Sequence, residues 1–128
     1  MHATTSLLIA IVDDDEAVRC ALSSLLKSCG LQPRAFASAE EFLNSSRQSA
    51  FGCLIVDVRM GGMSGLELQS RLAQQDCRVP IVFLTAHADS RMRTQAMQSG
   101  AFHVLEKPFD DGALIDVIHS ALERDQRP

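Results

Sequence analysis

No apolar run in this 128-residue chain approaches the roughly 20 residues that cross a bilayer. The N-terminus shows neither the charged n-region nor the small-residue cleavage site of a secretory signal. These absences predict a cytoplasmic protein with no membrane partner. Cys20, Cys29, Cys53 and Cys77 form no Cys-x-x-Cys pair and no Cys/His spacing suited to a metal, which excludes a zinc module and points to reduced, mostly structural thiols. Basic residues are outnumbered and scattered: 12 Lys and Arg stand against 16 Asp and Glu, for a net charge of -4. A chain with that balance lacks the electrostatic footprint of a nucleic-acid binder, so direct nucleic-acid contact is not expected. There is no internal repeat and no low-complexity tract. Only Arg124 to Pro128 reads as a polar tail or the start of a linker, leaving residues 1–123 as one domain, 46% of the chain being hydrophobic.

What the chain does contain is a set of apolar runs that end on chemistry. Cys53-Leu54-Ile55-Val56 ends on Asp57, and a loop with Gly61, Gly62 and Gly65 follows. Leu7 to Val12 ends on Asp13, Asp14, Asp15 and Glu16. Apolar runs without polar alternation suit strands buried on both faces of a parallel sheet, whose carboxyl ends are where such sheets place ligands. Four successive carboxylates repel one another unless they are solvated, cap a helix or meet a cation. A helical pattern of Ala17, Val18, Ala21, Leu22, Leu25 and Leu26 follows them, so capping explains one or two of the four.

The alternation then repeats. Gly30 ends the first helix, Arg34-Ala35-Phe36 makes a short strand, and the Ser38/Glu41 capping-box pattern opens a helix with Phe42 and Leu43 inside. Ser64 and Glu67 form a second capping box ahead of Leu68 and Leu72. Pro80 to Thr85 is a strand, and Ala88 to Ser99 a short polar helix with Met92, Ala96 and Met97 as its inner face. So thin a face makes that helix a candidate moving part. Ala101 to Glu106 is a fifth strand ending at Lys107-Pro108, and Asp110 or Asp111 caps a last helix with Leu114, Val117, Ile118, Ala121 and Leu122 on one side. The fold class is α/β: a doubly wound, flavodoxin-like (βα)5 domain with a five-stranded parallel sheet in the order 2-1-3-4-5. That order turns Asp13, Asp14 and Asp57 into one crevice.

Converging carboxylates with few protein ligands suit magnesium, which keeps several waters. A carboxylate can also attack phosphorus, provided that metal, ammonium and hydroxyl donors neutralise the transferring oxygens. Asp57, Lys107 and Thr85 have the right groups for this. Lys107 is one of only two lysines, and it follows an apolar strand, where an unpaired ammonium would be costly.

The segments IVDDDE, DVRMxxMSG, LTAHAD and EKPF, in that order at successive strand ends, resemble the receiver domain of two-component response regulators, most of all the subgroup that precedes a LuxR-type helix-turn-helix domain. The resemblance implies transfer of a phosphoryl group from a phosphohistidine of a sensor histidine kinase to Asp57. It implies magnesium bound by Asp13, Asp14, Asp57 and the carbonyl of Arg59, with Lys107 pairing with the phosphoryl group and Thr85 moving to hydrogen-bond it. It also implies a cis Lys107-Pro108 bond, a slow self-dephosphorylation tuned by Arg59 and His87, and a phosphorylation-dependent homodimer or effector surface. Such a protein catalyses its own phosphorylation but is mainly a signalling switch.

Two positions depart from the family pattern. Gly61 stands where proline is usual, and Val104 where an aromatic is usual. Strand alternation would place Phe102 on the face of Val104, so Phe102 either repacks with Val104 when Thr85 moves or is plain core. Two rival readings fit the residues less well. A haloacid-dehalogenase-type phosphatase needs a second aspartate two residues after the first, where Arg59 stands. A non-catalytic interaction module of the same fold would lack chemical residues, and none is missing.

Overall fold

The two uninterrupted apolar runs become the centre of the sheet. A computed structural model describes residues 7–45, 48–86 and 90–124. In chain order these form β1 (Leu8–Val12), α1 (Glu16–Ser28), β2 (Gln32–Phe36), α2 (Ala39–Leu43), a single 3-10 turn (Gln48–Ala50), β3 (Cys53–Asp57), α3 (Gly65–Gln74), β4 (Ile81–Thr85), α4 (Ser90–Gln98), β5 (His103–Glu106) and α5 (Asp111–Arg124). The strands are all parallel and ordered β2-β1-β3-β4-β5, as the alternation of patterns predicts.

Alternation along the central strands divides the core in two. Ala10, Val12, Leu54, Val56 and Phe83 face Phe42 of α2, Leu68 and Leu72 of α3 and Ala96 of α4. On the other face Ile9, Ile11, Ile55, Val82 and Leu84 meet Leu22 and Leu26 of α1 with Leu114 and Ile118 of α5. The edge strand β2, with Pro33 in it, is largely exposed, as an edge tolerates.

Local chemistry sets the helix ends. Asp15 is the N-cap of α1, accepting from the N–H groups of Ala17 and Val18, which accounts for one of the four acids. Ser64 and Glu67 close a full capping box at α3, Ser38 accepts from Glu41 N–H at α2, and Asp110 rather than Asp111 accepts from Ala113 N–H at α5.

Four details differ from the sequence-based expectation. β5 begins at His103, two residues late, because Ala101 N–H is spent closing α4 on Ala96 O and Phe102 N–H donates to Ile81 O. Alternation therefore starts after Phe102, whose ring turns to the α5 side while Val104 packs on the α4 side. Phe102 and Val104 do not share a face. Met97 is 45% exposed rather than part of an inner face, which leaves Ala96 as the only buried residue of α4. Cys53 is buried, Cys77 half-buried and Cys20 and Cys29 exposed, so packing explains one thiol fully. Arg124, read as the first residue of the tail, ends α5; Ala88 and residues 125–128 lie outside the described residues. Among the described residues no helix is long and apolar enough to cross a membrane.

Candidate functional site

Because Val12 and Val56 are register partners on adjacent strands, the next residue of each, Asp13 and Asp57, leaves the sheet at the same level. Asp13 is 1% exposed and almost fully engaged. Its N–H donates to Phe36 O, its Oδ1 accepts from Asp15 N–H at 2.9 Å, and its carbonyl accepts from the Arg19 guanidinium at 2.8 Å. Its Oδ2 is buried with no hydrogen-bond partner, and Lys107 Nζ lies 3.6 Å away.

Asp57 stands beside it, half-buried. Its Oδ1 accepts from Arg59 N–H at 3.2 Å and its Oδ2 is 3.5 Å from Lys107 Nζ. Burial pushes the Asp57 carboxyl above the usual carboxylate range; the Lys107 ammonium and the Arg59 N–H draw it back, and the neighbouring Asp13 adds to the rise. Asp14 is exposed and its Oδ2 accepts from Gly61 N–H at 3.2 Å. One carboxylate oxygen from each of Asp13, Asp14 and Asp57 lies within 4.8 Å of the others.

Lys107 is placed by backbone on both sides. Its N–H donates to Thr85 O at 2.7 Å, and the Lys107-Pro108 bond is cis, as the resemblance implied. Thr85, 1% exposed, is one residue beyond Leu84, the register partner of Asp57. The structure thus brings Asp13, Asp14, Asp57, Thr85 and Lys107 to the carboxyl edge of three neighbouring strands and the loop after a fourth. Arg59 is exposed at the rim. His87 lies outside the described residues. Val104 is buried two residues into β5, and Phe102 is directed away from the site.

This donor set suits a hard divalent cation. Three carboxylates against one ammonium leave two negative charges uncompensated, and one oxygen, Asp13 Oδ2, is buried with no hydrogen bond to satisfy it. The exposed side at Asp14 leaves room for water ligands.

The glycine loop joins β3 to α3 at close quarters. A Cβ at Gly65 would sit 2.6 Å from Asp57 O and 3.0 Å from Val58 Cα, so only glycine lets α3 start against the strand end. Gly62 has φ +78, and beside it Met63 N–H donates to Glu40 Oε2 at 3.1 Å.

Sequence reasoning missed Glu40, Arg19 and Arg93, whose guanidinium donates to Val104 O at 2.9 Å. Glu40 acts 23 residues away in the chain, and no local pattern marks such a partner. Arg19 donates to a backbone carbonyl six residues back, ahead of α1, a spacing that no i, i+3 or i, i+4 rule marks.

Residues 9–119 match the family model of the response regulator receiver domain. The chain is 42% identical over 126 residues to nodulation protein W of Bradyrhizobium diazoefficiens, covering 98% of this chain and 56% of that protein. It is 47% identical over 116 residues to the response regulator protein TmoT of Ectopseudomonas mendocina, covering 91% and 53%. The chain spans about half the length of the curated relatives it matches. Among solved structures, FixJ-N superposes with a TM-score of 0.82 at 37% identity, covering 91% of this chain and 94% of that one. Full-length FixJ from B. japonicum does so with a TM-score of 0.86 at 40% identity, covering 94% and 60%. The fold, the strand order and the matched residues therefore agree, and the chain belongs to the response regulator receiver domain family, the phosphorylation-activated domains of two-component systems.

Proposed function

We propose that Asp57 accepts a phosphoryl group from a phosphohistidine of a sensor histidine kinase, and that the resulting acyl phosphate switches a surface of this domain. The observation that carries the reading is the meeting of three carboxylates and one ammonium at a single sheet edge, with Lys107 Nζ 3.5 Å from Asp57 and 3.6 Å from Asp13. An Asp57 carboxylate oxygen attacks phosphorus, the bond to the imidazole nitrogen breaks, and the electron pair leaves with the imidazole. Lys107 pairs with a phosphoryl oxygen, and the Thr85 hydroxyl moves to hydrogen-bond another. Asp13, Asp14, Asp57 and the carbonyl of Arg59 would hold magnesium, which when bound supplies the charge neutralisation that the equatorial oxygens need.

Several relatives are named transcriptional regulators, and the chain spans about half of their length. The output we propose is transcription control in the cytoplasm, through a LuxR-type helix-turn-helix domain, with this domain forming a phosphorylation-dependent homodimer and touching no nucleic acid itself. The family resemblance implies that the residues two beyond Asp57 and Thr85, Arg59 and His87, tune hydrolysis, so Arg59→Ala and His87→Ala should speed loss of the phosphoryl group; each 1.4 kcal/mol is tenfold in rate. Incubation with acetyl phosphate and magnesium, followed by intact mass, tests the core of the reading. One lasting phosphoryl addition in the parent and none in Asp57→Asn is expected. No addition to the parent, or retention in Asp57→Asn, overturns it.

A further inference from the structure

The loop between β3 and α3 is gripped from outside by two carboxylates. Gly61 N–H donates to Asp14 Oδ2 at 3.2 Å, across 47 residues of chain. Two residues on, Met63 N–H donates to Glu40 Oε2 at 3.1 Å, across 23 residues. The residue between them is Gly62, at φ +78, and a Cβ there would approach Glu40 Oε2 to 2.9 Å. Glu40 therefore seats the loop, and the loop in turn seats Asp14.

Asp14 needs such a seat. Its side chain is exposed, and the neighbouring charges of Asp13 and Asp57 push it outward. A free exposed carboxylate would sample several rotamers, only some of which keep an oxygen within 4.8 Å of the other two. The Gly61 N–H opposes both effects. It occupies one carboxylate oxygen and leaves the second with unshared pairs, which is how a hydrogen bond from outside the ligand set orients a metal-binding carboxylate. Proline at position 61 could not make this contact, because it has no N–H.

We propose that Gly61 and Glu40 are positioning residues for the cation site: the Gly61 N–H holds Asp14 in its ligating orientation, and Glu40 holds the loop that presents that N–H. This rests on the reading of Asp13, Asp14 and Asp57 as a magnesium site. It separates two properties of position 61, its small size and its donor. Nothing lies within 4 Å of a Cβ built there, so size is not what the site requires.

Isothermal titration calorimetry with magnesium chloride on the parent, Gly61→Ala, Gly61→Pro, Glu40→Ala and Glu40→Gln tests the proposal without any phosphoryl chemistry. Gly61→Ala keeps the donor and should bind as the parent does. Gly61→Pro should bind about tenfold more weakly or worse, the usual loss when an outer hydrogen bond to a ligand is removed. Glu40→Ala should fall in the same direction, with Glu40→Gln, which keeps an acceptor oxygen, recovering part of the loss. Thermal unfolding in chelator checks each fold, and Glu40→Ala carries the test alone if Gly61→Pro does not fold. Equal or tighter binding by Gly61→Pro, equal loss in Gly61→Ala, or unchanged binding by Glu40→Ala overturns the proposal. If the parent binds no magnesium, both this inference and the underlying site reading fall.

Discussion

At the carboxyl ends of β1 and β3 nearly every polar atom has a partner: Asp13 makes three hydrogen bonds and an ion contact, Asp57 one of each, and Asp14 is seated by a backbone donor. Across the sheet, α4 is attached by very little. Of its nine residues only Ala96 is buried and Met92 is partly buried against the same cluster, whereas α3 buries Gly65, Leu68, Gln69 and Leu72. Two polar threads supplement that contact. Buried Gln69 donates to Ala96 O at 3.1 Å, and Arg93 donates to Val104 O at 2.9 Å. A region fixed by many short-range contacts resists displacement, while one hung from a few can shift at small cost. The domain thus has rigid geometry at the carboxylate cluster and loose attachment at α4, the two properties that the proposed phosphoryl acceptor and switch would need.

The largest effect that tests this contrast is on packing. Phe83 is fully buried on the α4 side of the sheet, so Phe83→Ala should cost about 3 to 5 kcal/mol in urea unfolding. Met97→Ala, on the exposed side of α4, should fall within about 0.5 kcal/mol of the parent. A comparable loss at Met97 would mean that α4 is anchored by more than Ala96 and Met92.

A second test sharpens the rigid side. In the folded, metal-free protein Asp57 is held above its ordinary value, chiefly by burial, so the native state binds its proton more tightly than the unfolded chain does. The stability this brings is full below the unfolded value and is lost as pH rises through the raised folded value. Asp57→Asn cannot ionise. In chelator its unfolding midpoint should be less sensitive to pH across that window, and above it the variant should be the more stable protein. A variant whose stability falls as much as the parent's, relative to each at the low end of the window, would contradict the assignment.

How much of this could be read from residues alone follows the same division. Chemistry announces itself by residue type: a carboxylate ending an apolar run, a rare lysine after another, a hydroxyl after a third are visible before any folding, and the strand order brings them together. Contacts that depend on where a turn starts are not. Phe102 obeys strand alternation only if β5 has already begun, and Ala101 closing α4 postpones it to His103. Glu40 looks like an ordinary acid in the first turn of α2, and its grip on Met63 arises from a backbone path that no local period encodes.

The loose side can be loosened further. Arg93 is a charged donor to a carbonyl of the edge strand β5, half-buried, so Arg93→Ala should cost about 1 kcal/mol. That corresponds to a roughly fivefold larger open population. Hydrogen exchange should show the increase at amides of α4 and β5, with β1 and β3 unchanged. An equal increase in all four elements would mean that the two regions open together.

The smallest effect on signalling is expected at Phe102, although its ring lies only two residues from Val104 in the chain. The ring belongs to the α5-side cluster, and the Arg124 guanidinium carbon sits 5.8 Å from its centroid. A cation over this half-buried ring contributes about 1 kcal/mol, and exchanging the ring for leucine costs a similar amount in packing. Phe102→Leu should therefore lose about 1 to 2 kcal/mol of stability. Its response to a phosphoryl mimic should remain, because the core side chains on the α4 side, among them Val104, Phe83, Ala96 and Met92, belong to the cluster on the opposite face of the sheet. Size-exclusion with light scattering, with and without beryllofluoride and magnesium, distinguishes the two quantities. If Phe102→Leu folds but no longer changes its oligomeric state with the mimic as the parent does, the signal passes through the α5 face and the division between a rigid site and a loosely hung α4 is wrong.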